Sequence, residues 1–282
     1  MPQDLCDRSA TEYLRLLESG ALTATELIAG CVEQLGRIRP ASAVSIARLF
    51  AEAGRADRRR AAGESGLLDG LPVALAADLP RRTEIVASAR HAGIVVIDAA
   101  PGDDGVRLLL ARATSAAFIR DSTSSTCVDG IPALHRTGGP GLVARVVADL
   151  ELFLPIVDST PRRTGGLDIA AHSDSIADIE LRDAVADVAA LLSLHGNTVR
   201  DLDAGRSSSL FGWRRPTSRR IPPPDITVSS AEKSPQWINP TVSLVAGRTH
   251  RGRPLVVRLT GRPGLERDLL DLARLVEIDV AP

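Results

Sequence analysis

Lysine is almost missing from this chain. A single one, Lys233, stands among 282 residues, and every other member of the 34 cationic side chains is arginine. Against 35 carboxylates the formal charge is −1, which removes the basic field that nonspecific nucleic-acid binding needs. Aromatic residues make up only 2% of the chain, too few for recognition of bases by stacking. The three cysteines, Cys6, Cys31 and Cys127, are widely spaced and odd in number. They fit neither a disulfide framework nor the CxxC or CxxH spacing of a zinc site. The five histidines show no HxH or HExxH pattern, so no metal and no cofactor are expected. No apolar run reaches membrane-spanning length, and the opening MPQDLCDRSATE lacks the apolar core of a secretion signal. The expectation is a cytoplasmic protein with neither a membrane nor a nucleic acid as partner.

What is present is a succession of helix and strand signals. Ser9-x-x-Glu12 and Thr23-x-x-Glu26 each have the spacing of a capping box and each opens a helical apolar stripe. The stripes are Tyr13, Leu16 and Leu17 in the first helix, and Leu27, Ile28, Cys31 and Leu35 in the second. A third helix is predicted over 46–62, a strand over 71–76, a helix from Glu84 to His91 closed by Gly93, and a buried strand at 94–98. Strand, helix and strand in that order predict a parallel crossover, and 166–202 repeats the pattern. A helix is predicted over 143–157, ending at Pro155. Residues 204–236, with the breaker run IPPPD, read as a long irregular connection. A strand and a helix close the chain over 252–277.

Four segments point further. GLPVALAAD at 70–78 resembles the strand G-[IV]-P-[VI]-x-[VL]-K-D of the amidase signature family, and AAFIRDS at 116–122 resembles its G-G-S-I-R-x-P run. VARVVADL at 143–150 is similar to its G-P-[LM]-A-R-[ST]-V-A-D helix, through Ala144, Arg145, Val147, Ala148 and Asp149. The closing GRPLVVRLTGRPGLERDLL is similar to the family's last strand and helix, through Gly252, Pro254, Leu259, Gly261, Arg262, Glu266, Leu269 and Leu270. The resemblance implies an amide hydrolase fold that works through a nucleophilic serine, a second serine on a cis peptide, and a lysine. In this chain the lysine position is Ala76 and the nucleophile position is Phe118. The glycines of the oxyanion turn are Ala116 and Ala117, while Ile119 and Arg120 keep the family's residues. The glycine- and serine-rich segment that carries the cis serine has no counterpart between Asp98 and Ala111. A methyl and a phenyl group can neither accept a proton nor attack a carbonyl, and Cβ atoms crowd a turn that glycine leaves open.

Other constellations have plainer readings. Ser124, Ser125 and Cys127, with Asp121 and His135 nearby, offer substitute nucleophiles but read as a polar loop. His172 and Asp174 sit where turn formers and caps belong, and His195 reads as a cation at a helix C-terminus. RRPTSRR at 214–220 reads as a solvated cluster, and TGGPG at 137–141 and GRPG at 261–264 as turns. Arg120, Asp121 and Ser124 remain as ligand contacts beside the old pocket. The expected architecture is α/β: one domain over residues 1–282, with a twisted, mixed, largely parallel sheet and helices on both faces. The expected role is that of a catalytically inactive amidase-like subunit for a protein partner, either a second copy or a catalytic enzyme. The alternatives are an enzyme with a remodelled pocket near 120–136, for amide hydrolysis or acyl or amide transfer, and a small-ligand binding protein.

Overall fold

A computed structural model describes residues 8–38, 43–99, 114–119, 131–136, 139–158, 167–172, 178–201, 223–230 and 239–280. Contacts divide the chain into two compact units, Met1–Ser159 and Thr160–Pro282. No helix of the described residues is long and apolar enough to cross a membrane.

The first unit opens with α1 (Ala10–Glu18) and α2 (Ala24–Ile38), split where the sequence predicts. Both capping boxes form. The Ser9 N–H donates to Glu12 at 2.7 Å while the Glu12 N–H donates to the Ser9 hydroxyl at 3.2 Å; Thr23 and Glu26 exchange the same bonds at 2.9 and 3.1 Å. Each helix also receives a distant carboxylate. Asp149 accepts from the Ala10 N–H at 2.9 Å and from the Thr11 N–H and hydroxyl at 3.3 and 3.4 Å. Asp57 accepts from the Ala24 N–H at 2.6 Å and from the Thr25 N–H and hydroxyl at 3.1 and 2.6 Å. Two of the four orphan donors at each helix start are thus bonded to a carboxylate, which also suits the helix dipole. On α1 the buried stripe is Ala10, Tyr13, Leu14 and Leu17, with Leu14 taking the place expected for Leu16.

Next come α3 (Ala43–Ala61), β1 (Pro72–Ala76), α4 (Arg82–His91) and β2 (Val95–Ala99). The β1–α4–β2 crossover is parallel, with Val73 opposite Val96. Gly70 and Gly93 hold the start of this unit together. Gly93 has φ +84°, and a Cβ there would lie 2.8 Å from the Asp69 Cα, so only glycine fits. Buried Asp69 is gripped by Arg59 through both carboxylate oxygens, and its carbonyl accepts from Arg60 at 2.6 Å.

Three strands follow: β3 (Ala116–Ile119), β4 (Ala133–His135) and β5 (Gly141–Ala144). They lead to α5 (Val147–Phe153) and a 3-10 turn at Leu154–Ile156. The helix expected over 143–157 therefore begins only at Val147. Residues 141–144 are all buried and pair antiparallel with both β3 and β4, so ladder pairing overrides their helical match to the family motif. Strand order in this unit is β2-β1-β3-β5-β4.

The second unit contains β6 (Asp168–Ala171), α6 (Ile179–Leu194), β7 (Thr198–Asp201), β8 (Ile226–Ser230), β9 (Thr241–Arg248), β10 (Pro254–Gly261) and α7 (Glu266–Val280), with strand order β9-β10-β8-β6-β7. The predicted β6–α6–β7 crossover is present and parallel. Strand β8 corrects the irregular reading of 204–236. It alternates buried Ile226, Val228 and Ser230 with half-buried Thr227 and Ser229, and pairs with β6 and β10. In each unit the strand pairing is mixed, parallel around the crossovers and antiparallel at β3–β5–β4 and β8–β10–β9, so the fold class is α/β as expected.

Candidate functional site

Strand β1 runs parallel to β2 on one side and to β3 on the other, so the C-terminal ends of all three meet at one edge of the first unit's strands. In α/β sheets that edge is where ligands bind. Strand β4 is antiparallel to β5, which is antiparallel to β3, so Arg136, just after β4, belongs to the same edge. Register fixes what each face carries. Asp98, Leu75, Phe118, Leu142 and Leu134 lie side by side in one row across five strands, and the last four are fully buried. Ala74, Ala117, Val143 and Ala133 form the row on the other face, in one apolar cluster with Ile131 and half-buried Leu35.

These rows place the positions singled out in the sequence. Ala76 is 3% exposed at the end of β1, and Phe118 is completely buried in the middle of β3. Leu75 is the register partner of Phe118, so Ala76 is its diagonal neighbour. Side chains alternate along a strand, so Ala76 points to the face of Ala74 and Ala117 while Phe118 points to the face of Leu75. A lysine at 76 and a serine at 118 would therefore be directed away from each other. Ala116 and Ala117 form buried strand between β1 and β5, not the open turn that the resemblance implies. Ile119 ends β3. Arg120, Asp121, Ser124, Ser125, Cys127, Asp174 and RRPTSRR lie outside the described residues.

Of the remaining candidates, His135 is buried at the end of β4. The His172 N–H donates to the Val228 carbonyl at 3.0 Å, so it closes the β6–β8 ladder. His195 caps the C-terminus of α6 and lies 3.6 Å from Asp279, the helix-end position expected for it. Gly264, with φ +90°, turns the chain into α7 as GRPG predicts. No group of three or more His, Cys, Asp or Glu among the described residues is placed to hold a metal ion.

No family model matches the chain, and no curated protein does. Solved structures do match, over nearly all of its length. A 6-aminohexanoate cyclic dimer hydrolase complexed with substrate aligns over 98% of each chain, at 16% identity and a TM-score of 0.67. A peptide amidase from Stenotrophomonas maltophilia aligns over 96% of each, at 14% identity and a TM-score of 0.73. A third match covers 97% of this chain and 99% of the other, at 16% identity and a TM-score of 0.70. It is described as an unexpected vestigial protein complex that reveals the evolutionary origins of an s-triazine catabolic enzyme. The chain has the amidase-signature fold.

Within the amidase-signature fold, the described part of the edge carries charge that single-sequence reading missed. Asp98, at the end of β2, accepts from Arg48 at 2.7 Å and from Arg82, and Arg48 also donates to the Val96 carbonyl at 3.2 Å. Glu52 lies between Arg48 and Arg90, at 3.9 and 3.5 Å. The arginine-rich helix face over 48–59 was the available signal, but its partners come from β2 and could not be read locally. Across the edge, Arg136 donates to the Val157 carbonyl at 2.9 Å and lies 3.3 Å from Asp158. Each of these three carboxylates is held by at least one guanidinium, which suits positioning better than acid–base work. Among the described residues the one strongly displaced carboxyl is Asp149, raised to about 6 by burial against the lowering effect of its bonds from Ala10 and Thr11. Its partners belong to α1, so the shift marks a structural clamp.

Proposed function

We propose that this protein is an amidase-fold subunit that has lost amide hydrolysis and works by binding a protein partner. The observation that carries the reading is Ala76. The strand end where the resemblance puts the general base offers a buried methyl group, with no proton to give or take. Phe118 supports it, since a fully buried phenyl in the sheet interior contributes packing and no chemistry. The framework elements around them are retained, and one structural match is itself described as part of a vestigial complex. The partner is a second copy or a catalytic enzyme.

The reading is tested by turnover. Purified protein should leave model amides and esters at background, and Ala76→Lys with Phe118→Ser should not gain activity, because the two side chains point to opposite faces. A second reading has one observation in its favour. Phe118 lies inside β3, so a nucleophile could follow the strand instead of ending it, among Ser124, Ser125 and Cys127. Amide hydrolysis above background that disappears in Ser124→Ala, Ser125→Ala or Cys127→Ala would replace the partner reading with that of a remodelled enzyme.

A further inference from the structure

Two hollows lie side by side along α4 within the first unit. One, of about 290 Å³, is walled by Arg81, Glu84 and Ser88 of the helix and its start, and by Arg136, Gly139 and Pro140 after β4. The other, of about 610 Å³, is walled by Leu68, Ala87, His91, Ala92, Pro155 and Ile156. They share Ser88 and Ile156, so one trough follows the helix from its arginine end to its apolar end. Both volumes are in the range of small-molecule sites.

The polar end is built with some care. Arg81 has φ +53°, the one described residue other than glycine with a positive φ. An arginine held in the left-handed region is strained, and such strain concentrates at ligand sites. Gly139 makes room for the second guanidinium, since a Cβ there would lie 3.1 Å from an Arg136 terminal nitrogen. Val157 and Asp158 hold Arg136 in place. Each guanidinium has its own carboxylate: Arg136 is held from behind by buried Asp158, whereas the pairing of Arg81 with Glu84 is exposed on both sides and hence weak enough for another anion to replace. Guanidinium groups prefer carboxylates, which they can bind through two bonds. The other end offers mainly side-chain carbon, from Leu68, Ala87, Pro155 and Ile156, with His91 beside it.

We propose that this trough binds a linear amphipathic monocarboxylate, with its head between Arg81 and Arg136 and its hydrocarbon tail along Ala87, Pro155 and Ile156. The site does not depend on a protein partner or on lost catalysis, so its failure would leave the preceding reading intact. Isothermal titration calorimetry of the full chain with octanoate tests it, with acetate and 1-octanol as probes of each end alone. Octanoate should bind saturably at one site, and acetate and octanol at least tenfold more weakly. Arg81→Gly relieves the backbone strain and keeps the fold, and should weaken octanoate at least tenfold; Arg81→Asn, which also accepts this φ, serves as a second variant. Ala87→Glu, on the exposed helix face, should do the same through the tail. No saturable octanoate binding, equal binding of octanol or acetate, or unchanged affinity in all three variants would each overturn the proposal.

Discussion

Phe118 and Asp149 show how much a single side chain fixes in this molecule. Phe118 is wedged between Leu75 and Leu142 with no exposed surface, so Phe118→Ala opens a cavity among the strands of the first unit. The expected loss is about 3–5 kcal/mol, read from urea unfolding of wild type and variant. A change of under about 1 kcal/mol would mean that the row can collapse around the gap. Asp149 gives a pH signature. Its carboxyl, ordinarily near 3.8, titrates near 6 in the folded protein because burial penalises the charge. The folded state then holds this proton more tightly than the unfolded chain does. The resulting stability is full below about pH 4 and is lost as pH rises towards 6. The difference amounts to about 3 kcal/mol at one pH unit per 1.36 kcal/mol. Asp149→Asn keeps an acceptor for the Ala10 N–H and removes the titration. Wild type should therefore lose stability relative to the variant between pH 4 and 6, and parallel curves would show that the carboxylate is better solvated than its burial implies.

At the scale of elements, α1 and α2 start in the same way: Ser9-Ala10-Thr11-Glu12 and Thr23-Ala24-Thr25-Glu26, each with a capping box and each clamped by a carboxylate remote in sequence. The box was legible from spacing alone, because donor and acceptor are three residues apart. The clamps were not, because Asp57 and Asp149 lie 33 and 139 residues from the backbone they hold. Three bonds end on Asp57, so Asp57→Ala should cost about 2–3 kcal/mol, more than the ~1 kcal/mol of Thr23→Ala. Thermal unfolding of the two variants checks the order, and the reverse would place the cap above the clamp. The same contrast between local and remote signals explains the other elements. Both βαβ crossovers were readable, since strand, helix and strand follow one another. Strands β4, β5 and β8 were not, because they are short, flanked by glycine or proline, and defined by partners far away in sequence. Strand β5 also carries part of a motif that reads as helix until its pairing with β3 is seen.

Across the whole molecule, the resemblance read from four short motifs led to the right fold, and it did so where overall identity to matching structures is only 12–17%. Three of the motifs that located it are framework: a strand, a helix start and a closing strand with its helix; the fourth, AAFIRDS, is the run that carries the nucleophile position. The site was less legible. Aligning AAFIRDS to the family run put the nucleophile at Phe118, but a linear comparison does not show the side-chain alternation that separates it from Ala76. The arginine pair of the α4 trough left no pattern, since Arg81 and Arg136 are 55 positions apart. If the partner reading holds, light scattering should return a mass above that of one chain, either for the protein alone or with its enzyme partner. A strictly single-chain mass in both settings would argue against it.

The bonds from Ala10 and Thr11 to Asp149 have a bearing on how the chain can be trimmed. Removing residues up to 8 leaves the Ser9 cap and all three donors in place, so such a product should resist proteolysis as the full chain does. Removing four residues more takes the donors away and leaves Asp149 buried in the first turn of α5 with three bonds unmade. The penalty then falls on a helix 139 residues downstream, beside the sheet that holds Phe118. A start point chosen inside α1 would therefore yield a chain that looks intact by length yet is digested from the middle.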